Sequence, residues 1–65
     1  MKILTWQARI EKNITLVKLS KLTGIGKSTL NNIENEKTSP TMKQMEAIAK
    51  ALGVKIEELY DSPYK

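Results

Sequence analysis

The sequence predicts an all-α fold of five helices. Apolar residues recur at helical spacing, as in Leu16, Leu19 and Leu22, which would line one face of a helix. Strict alternation of apolar and polar residues is nearly absent, so no stretch predicts a strand. Glycine, proline and hydroxyl residues stand between the apolar stretches, where helices would begin and end.

The first two helices are delimited by the residues at their ends. The first is predicted over about residues 3–12, and Asn13 ends it. Thr15 can cap a second helix that continues to about Leu22. Gly24 follows, and glycine tolerates the positive φ that commonly terminates a helix.

The third and fourth helices carry clearer boundary signals. The third is predicted over about residues 27–35, with Gly26 at its N-cap. Thr41 and Gln44 have the spacing of a capping box, which marks the start of the fourth helix, and Gly53 closes it. The expected apolar contacts are Ile25, Leu30 and Ile33 around the third helix and Met42, Met45, Ile48, Ala49 and Leu52 along the fourth.

A short fifth helix is predicted over about residues 56–60, with Leu59 facing inward and Pro63 preventing its continuation. The five helices must share one core, because 65 residues are enough for a single domain only. We therefore expect one domain over residues 1–65.

The composition argues against an enzyme. The chain contains no cysteine and no histidine, so it has neither thiolate nor imidazole ligands for a metal and lacks the commonest general base. We expect no metal and no cofactor. No apolar run approaches the ~20 residues of a membrane span and no secretory signal is visible, so the expected location is the cytoplasm of a bacterium or a phage-infected host.

One short stretch, TGIGKST at residues 23–29, ends like a phosphate-binding loop of nucleotide-binding enzymes. Such a loop also needs a glycine at position 21, which is Lys21, and a buried strand before it. The preceding residues instead have helical spacing. A nucleotide-binding enzyme is therefore the weakest of three functional interpretations.

Positive charge is concentrated in the middle of the chain, whose net charge is +4. Residues 18–43 contain five lysines and two glutamates, whereas residues 44–61 contain four acids and two lysines. Such a basic segment is typical either of a solvated surface or of a polyanion-binding face.

Two helices joined by a tight glycine-containing turn, over about residues 15–35, predict a helix-turn-helix. Further residues support this prediction at separated places: LSxxTGI at 19–25, STLxxIENxK at 28–37, PT at 40–41 and IAKALGV at 48–54. This pattern resembles the helix-turn-helix of the phage repressor and Cro family, also called the XRE family. The resemblance covers about residues 4–60 and implies a five-helix, lambda-repressor-like fold.

The resemblance also implies roles for individual residues. The third helix would enter the major groove, with Lys27, Ser28 and Asn32 at base edges and with Thr29 and Asn31 at phosphates or further bases. Asn35, Lys37 and Thr38 fall in the loop that grips the DNA backbone in the family. Arg9 and Glu34 match a structural ion pair between the first and third helices.

The chain departs from the family pattern at several of these positions. Leu16 replaces a glutamine that meets a phosphate, which leaves only Thr15 at that place. Gly26 replaces a hydroxyl cap, although free N–H groups at the helix start could still bind a phosphate. Glu36 replaces a glycine and adds an acid near the DNA face.

The sequence thus predicts a DNA-binding transcriptional regulator of the repressor type. A domain this small reads few base pairs, so we expect a homodimer on a two-fold symmetric operator. The candidates for its interface are Ile56, Leu59, Tyr60 and Tyr64. The alternative is an antitoxin-like or adaptor module that uses the same fold to bind a protein.

Overall fold

The computed structural model describes all residues, 1–65, as four α-helices, one 3₁₀ helix and one two-stranded antiparallel sheet. None of the helices is long and apolar enough to cross a membrane. In chain order the elements are β1 (Lys2–Ile3), α1 (Thr5–Glu11), α2 (Leu16–Thr23), α3 (Lys27–Glu34), α4 (Met42–Leu52), the 3₁₀ helix (Ile56–Leu59) and β2 (Tyr60–Asp61).

The mostly helical prediction is confirmed, but the count of five α-helices is wrong. The fifth predicted helix is a single 3₁₀ turn, and the next two residues form β2. The first helix begins at Thr5 because the two residues of β1 pair with β2, with Ile3 opposite Tyr60. Strands of two residues are too short to show alternation, so this sheet has no periodic signal along the chain.

Helix starts follow the predicted chemistry. The Thr15 hydroxyl accepts a hydrogen bond from the N–H of Lys18 and caps α2. Thr41 and Gln44 form a reciprocal capping box at the start of α4. Both the cap and the capping box satisfy N–H groups that would otherwise have no hydrogen-bond partner at a helix start.

All four α-helices end at a residue with positive φ, and the chain supplies this conformation in two ways. Gly24 and Gly53 provide it after α2 and α4 with φ of 74° and 70°. Asn13 and Glu36 provide it after α1 and α3 with φ of 57° and 56°, although both carry a Cβ atom. After α3, the N–H groups of Glu36 and Lys37 return to the carbonyls of Ile33 and Asn32, which is a Schellman motif.

The core lies where all the helices meet. Its fully buried apolar residues come from α2, α3, α4 and the 3₁₀ helix, and they are Leu19, Leu30, Ile33, Ile48 and Leu59. Met42, predicted to lie on the apolar stripe of the fourth helix, is instead 69% exposed, because it is the first residue of α4 and the rest of the fold does not cover it. The complete burial of Leu59 removes it from the candidates for a dimer interface.

Candidate nucleic-acid interface

The turn between α2 and α3 is fixed by side-chain hydrogen bonds. The Ser20 hydroxyl donates to the carbonyl of Ile25 at 2.7 Å, across the turn. The Thr23 hydroxyl donates to the carbonyl of Leu19 and accepts from the N–H of Ile25 at 3.1 Å. These bonds, together with the left-handed backbone at Gly24, set the direction in which α3 leaves α2.

One face of α3 is anchored in the core and the opposite face is open. Leu30 and Ile33 are each 1% exposed, and they hold the helix against the rest of the domain. Lys27, Ser28 and Asn31 are exposed. This arrangement follows from the helical period, because residues three apart share a face.

Asn32 lies at the side of this open face and is half-buried. Its side-chain amide makes no hydrogen bond within the chain, and neither amide atom is sealed from solvent. The donor and the acceptor of the amide are both available to a ligand. The Lys27 ammonium and the Ser28 hydroxyl likewise have no intramolecular partner.

The N-terminus of α3 offers free backbone donors. Gly26 is the N-cap and supplies no side-chain hydrogen bond. The first intrahelical bond runs from the N–H of Leu30 to the carbonyl of Gly26. The N–H groups of Lys27, Ser28 and Thr29 are therefore without a partner in the chain, at the positive end of the helix dipole.

Beyond α3, the predicted phosphate-binding residues Asn35, Lys37 and Thr38 are all exposed. The Asn35 amide donates to the side-chain oxygen of Asn31 at 3.3 Å, so these two asparagines form one polar strip. Every predicted contact residue except Thr15 falls within residues 26–38. Thr15 is exposed at the start of α2, where its hydroxyl accepts the cap bond and keeps its own hydrogen free to donate.

Arg9 and Glu34 form an ion pair that joins α1 to α3. Arg9 Nε lies 2.6 Å from Glu34 Oε2, and Arg9 Nη2 lies 3.1 Å from Glu34 Oε1. The remaining nitrogen, Nη1, donates to the carbonyl of Ile14 at 3.0 Å. The two side chains are only 11% and 5% exposed, so the pair lies behind α3 rather than on its open face.

A further contact beside the candidate interface was missed by sequence reasoning. The Glu36 carboxylate accepts a hydrogen bond from the N–H of Ile3 at 3.1 Å. The two residues are 33 positions apart, and no local pattern links them. The sequence presented Glu36 only as an acid close to the DNA face.

A comparison with protein-family models agrees with this geometry. A model described as helix-turn-helix matches residues 7–59. The chain belongs to this helix-turn-helix family. The match confirms the resemblance to repressor and Cro proteins, and it supports double-stranded DNA as the partner and transcription regulation as the type of function. No individual curated protein matches the chain.

The charges of this helix-turn-helix protein suit a polyanionic partner. The Arg9–Glu34 pair is the one ion pair within 4.0 Å in the structure. No lysine is neutralised by a carboxylate at that distance, and Lys27 and Lys37 both project from the surface. Unpaired lysines of this kind can replace the counterions that surround DNA phosphates.

Proposed function

We propose that this helix-turn-helix protein is a transcriptional repressor that binds double-stranded DNA sequence-specifically, with α3 in the major groove. The observation that carries the proposal is the open face of α3. A helix held by Leu30 and Ile33 presents Lys27, Ser28 and Asn32 with no intramolecular hydrogen bond. The free energy of removing such polar groups from water is small if DNA supplies replacement hydrogen-bond partners, and a rigid helix limits the entropy lost on binding.

Three residues would read base edges. The Asn32 amide can form two hydrogen bonds with one adenine, because its NH₂ group donates to N7 while its oxygen accepts from the N6 amino group. Lys27 can donate to O6 and N7 of guanine. The Ser28 hydroxyl both donates and accepts, so it tolerates several bases.

The surrounding residues would hold the DNA backbone. The free N–H groups of Lys27, Ser28 and Thr29 lie at the positive end of α3, where a phosphate is favoured. Lys37 would contribute a positive charge from the loop after α3. Thr15 would contribute a hydroxyl donor from the start of α2. Thr29, Asn31, Asn35 and Thr38 complete the proposed set of phosphate or secondary base contacts.

Repression and dimerisation belong to the same proposal. A single recognition helix contacts only a few base pairs, so two copies on a two-fold operator would give the needed selectivity. Of the residues proposed for the dimer interface, Tyr64 is 95% exposed, and Ile56 and Tyr60 are half-buried. These three remain the candidates.

Selection of bound sequences from a random duplex pool tests the proposal directly. Enrichment of a two-fold symmetric sequence is the expected outcome. Titration of the selected duplex at several salt concentrations should then show affinity falling steeply, by a log–log slope of ~0.9 per neutralised phosphate. The absence of binding at low salt would refute the proposal.

A protein-interaction module is the second candidate, and one feature favours it. Trp6 and Ile10 lie one turn apart on α1 and are 50% and 46% exposed. An exposed aromatic residue beside an aliphatic one is typical of a protein contact. If this candidate were correct, Trp6→Ala would abolish the protein's activity in cells while duplex binding remained unchanged or absent.

A further inference from the structure

The outer edge of β1 is closed by a side chain from the candidate DNA interface. The N–H of Leu4 donates to the carbonyl of Leu59 at 2.8 Å, toward β2. Because successive N–H groups of a strand point in opposite directions, the N–H of Ile3 points away from β2. There it meets the Glu36 carboxylate at 3.1 Å. Glu36 therefore satisfies the donor that the two-stranded sheet leaves open.

Glu36 makes this contact from a backbone conformation that is unfavourable for it. Its φ of 56° lies in the left-handed region, where a Cβ atom crowds the following carbonyl oxygen. Glycine relieves that crowding after α2 and α4, but it is absent after α3. The Schellman motif that ends α3 requires this left-handed backbone at position 36, and the Glu36 side chain reaches Ile3 from it.

The loop between α3 and α4, residues 35–41, is held by hydrogen bonds at its two ends, by the Schellman motif after α3 and by the capping box of α4, but not in its middle. Thr38, Ser39 and Pro40 make no hydrogen bond within the chain. A cleft of about 350 Å³ lies between this loop and β1, and both Thr38 and Ile3 line it. The bond from Glu36 to Ile3 is thus the loop's one hydrogen bond to a distant part of the chain.

We propose that Glu36 is a positioning residue for DNA binding: its carboxylate ties the α3–α4 loop to β1 and so places Lys37 and Thr38 for contact with phosphates. This inference rests on the proposed function, because it concerns the same interface. The effect that this tether should have on DNA affinity is opposite to the effect of an acid that only lies near DNA. A negative charge alone weakens binding to a polyanion, whereas a tether that preorganises the loop strengthens it.

Three substitutions separate these effects. Glu36→Gln keeps an oxygen that can accept from Ile3 and removes the charge. Glu36→Ala removes the acceptor and keeps the Cβ atom, and therefore the backbone strain. Glu36→Gly removes both the acceptor and the strain. For each variant, circular dichroism establishes folding, and NMR measures amide exchange at Ile3 and relaxation of the loop amides in the free protein. Titration with the selected duplex then gives the affinity.

We expect Glu36→Ala and Glu36→Gly to accelerate exchange of the Ile3 amide by about 2- to 10-fold, the range set by one hydrogen bond. Their duplex affinity should be lower by a similar factor than that of Glu36→Gln, which loses the same charge, because a smaller fraction of the loop is ready to bind. Glu36→Gln should keep the Ile3 amide protected and bind the duplex at least as tightly as the unmodified chain. Base preference should be unchanged in all three.

Unchanged exchange at Ile3 in Glu36→Ala would overturn the tether. Duplex binding by Glu36→Ala as tight as that of Glu36→Gln would overturn the positioning role and leave only charge repulsion. Loss of duplex affinity in Glu36→Gln to the level of Glu36→Ala, with Ile3 still protected, would also contradict the proposal. If the unmodified chain failed to bind any duplex, the positioning role would fall with the proposed function, while the exchange and relaxation data would still decide whether the tether exists.

Discussion

Arg9 and Glu34 meet in a two-pronged ion pair, with Nε 2.6 Å from Oε2 and Nη2 3.1 Å from Oε1. The third guanidinium nitrogen is held by the Ile14 carbonyl, so the arginine side chain is fixed at each of its nitrogens. A planar fork matched to a carboxylate in this way combines charge with defined geometry. The pair links α1 to the C-terminal turn of α3 and thereby fixes the orientation of the proposed recognition helix.

Removing one partner of this pair should destabilise the fold strongly. Arg9→Ala leaves the Glu34 carboxylate almost buried and unpaired, a change that typically costs ~3–5 kcal/mol. The total stability of a 65-residue domain is only ~3–10 kcal/mol, so the variant should lose a large share of its free energy of unfolding. Urea or thermal unfolding followed by circular dichroism measures the loss.

Lys12→Ala is the matched control, since Lys12 is an exposed cation next to α1 without an ion-pair partner. It should change stability by no more than ~0.5 kcal/mol. If Arg9→Ala had as small an effect as this control, the ion pair would not be structural. An altered base preference in a fully stable Arg9→Ala variant would assign the arginine to DNA recognition instead.

A substitution of Thr5 should, in contrast, stabilise the domain. Its hydroxyl oxygen is buried and has no hydrogen-bond partner, while the residue is 1% exposed. Valine has nearly the same shape without the polar group, so Thr5→Val should raise stability by ~1 kcal/mol, or roughly 4–8 °C in melting temperature. Thr15→Val is the contrasting variant, because it deletes the cap of α2 and should cost ~0.5–2 kcal/mol. A lower melting temperature for Thr5→Val would reveal a hydrogen bond to this hydroxyl.

The elements that sequence reasoning located correctly are those determined by nearby residues. The capping box of Thr41 and Gln44 and the glycines that end α2 and α4 act over four residues or fewer, so their signals are visible in the chain. The small sheet pairs Ile3 with Tyr60, 57 positions later, and two-residue strands carry no periodicity. The sheet could therefore be recognised only from the three-dimensional structure of the whole chain.

The same distinction applies to the candidate site. The open face of α3 follows from helical period once Leu30 and Ile33 are placed in the core. Glu36 could not be placed in this way, because its backbone conformation is unusual for glutamate and its partner Ile3 lies 33 positions earlier, near the N-terminus. Met42 was misassigned for a related reason: the helical period does not show how much of the first turn of a helix the rest of the fold covers.

Glycine substitutions distinguish the two ends of the turn between α2 and α3. Gly26 has φ of −58°, and an added Cβ would meet only Thr29 Oγ1 at 3.9 Å. Gly26→Ser should therefore add a cap to α3 and raise stability by about 0.3 kcal/mol. Gly24 has φ of 74° in open space, so Gly24→Ser should cost ~1–2 kcal/mol through backbone strain alone. Thermal unfolding of both variants measures these changes in stability. Equal changes for the two variants would contradict the backbone conformations assigned to Gly24 and Gly26.

Lys37 should act on affinity without acting on sequence preference. Lys37→Ala removes one exposed charge from the proposed phosphate contacts, so the log–log salt slope should fall by ~0.9. Binding to every duplex should weaken by a similar factor. Titrations of the selected operator and of a random duplex at several salt concentrations measure both quantities, with Lys12→Ala as the control. A selective loss on the operator alone would place Lys37 at a base.

Asn32 should show the reverse behaviour, because its unpaired amide is proposed to read a base edge. Asn32→Ala deletes a donor and an acceptor together, so affinity for the selected operator should fall by ~1–3 kcal/mol. Binding to random duplex should barely change, and tolerance should appear at one base pair in each half-site when single-base variants of the operator are compared.

Gln7→Ala is a suitable control for this experiment, since Gln7 is an exposed amide on α1, outside the proposed interface. It should leave both affinities unchanged. The decisive quantity is the ratio of operator to random-duplex affinity, because non-specific binding depends on phosphates and specific binding adds base contacts. If Asn32→Ala weakened both duplexes equally, Asn32 would contact the backbone, and α3 would lie in the groove with a different face toward the bases.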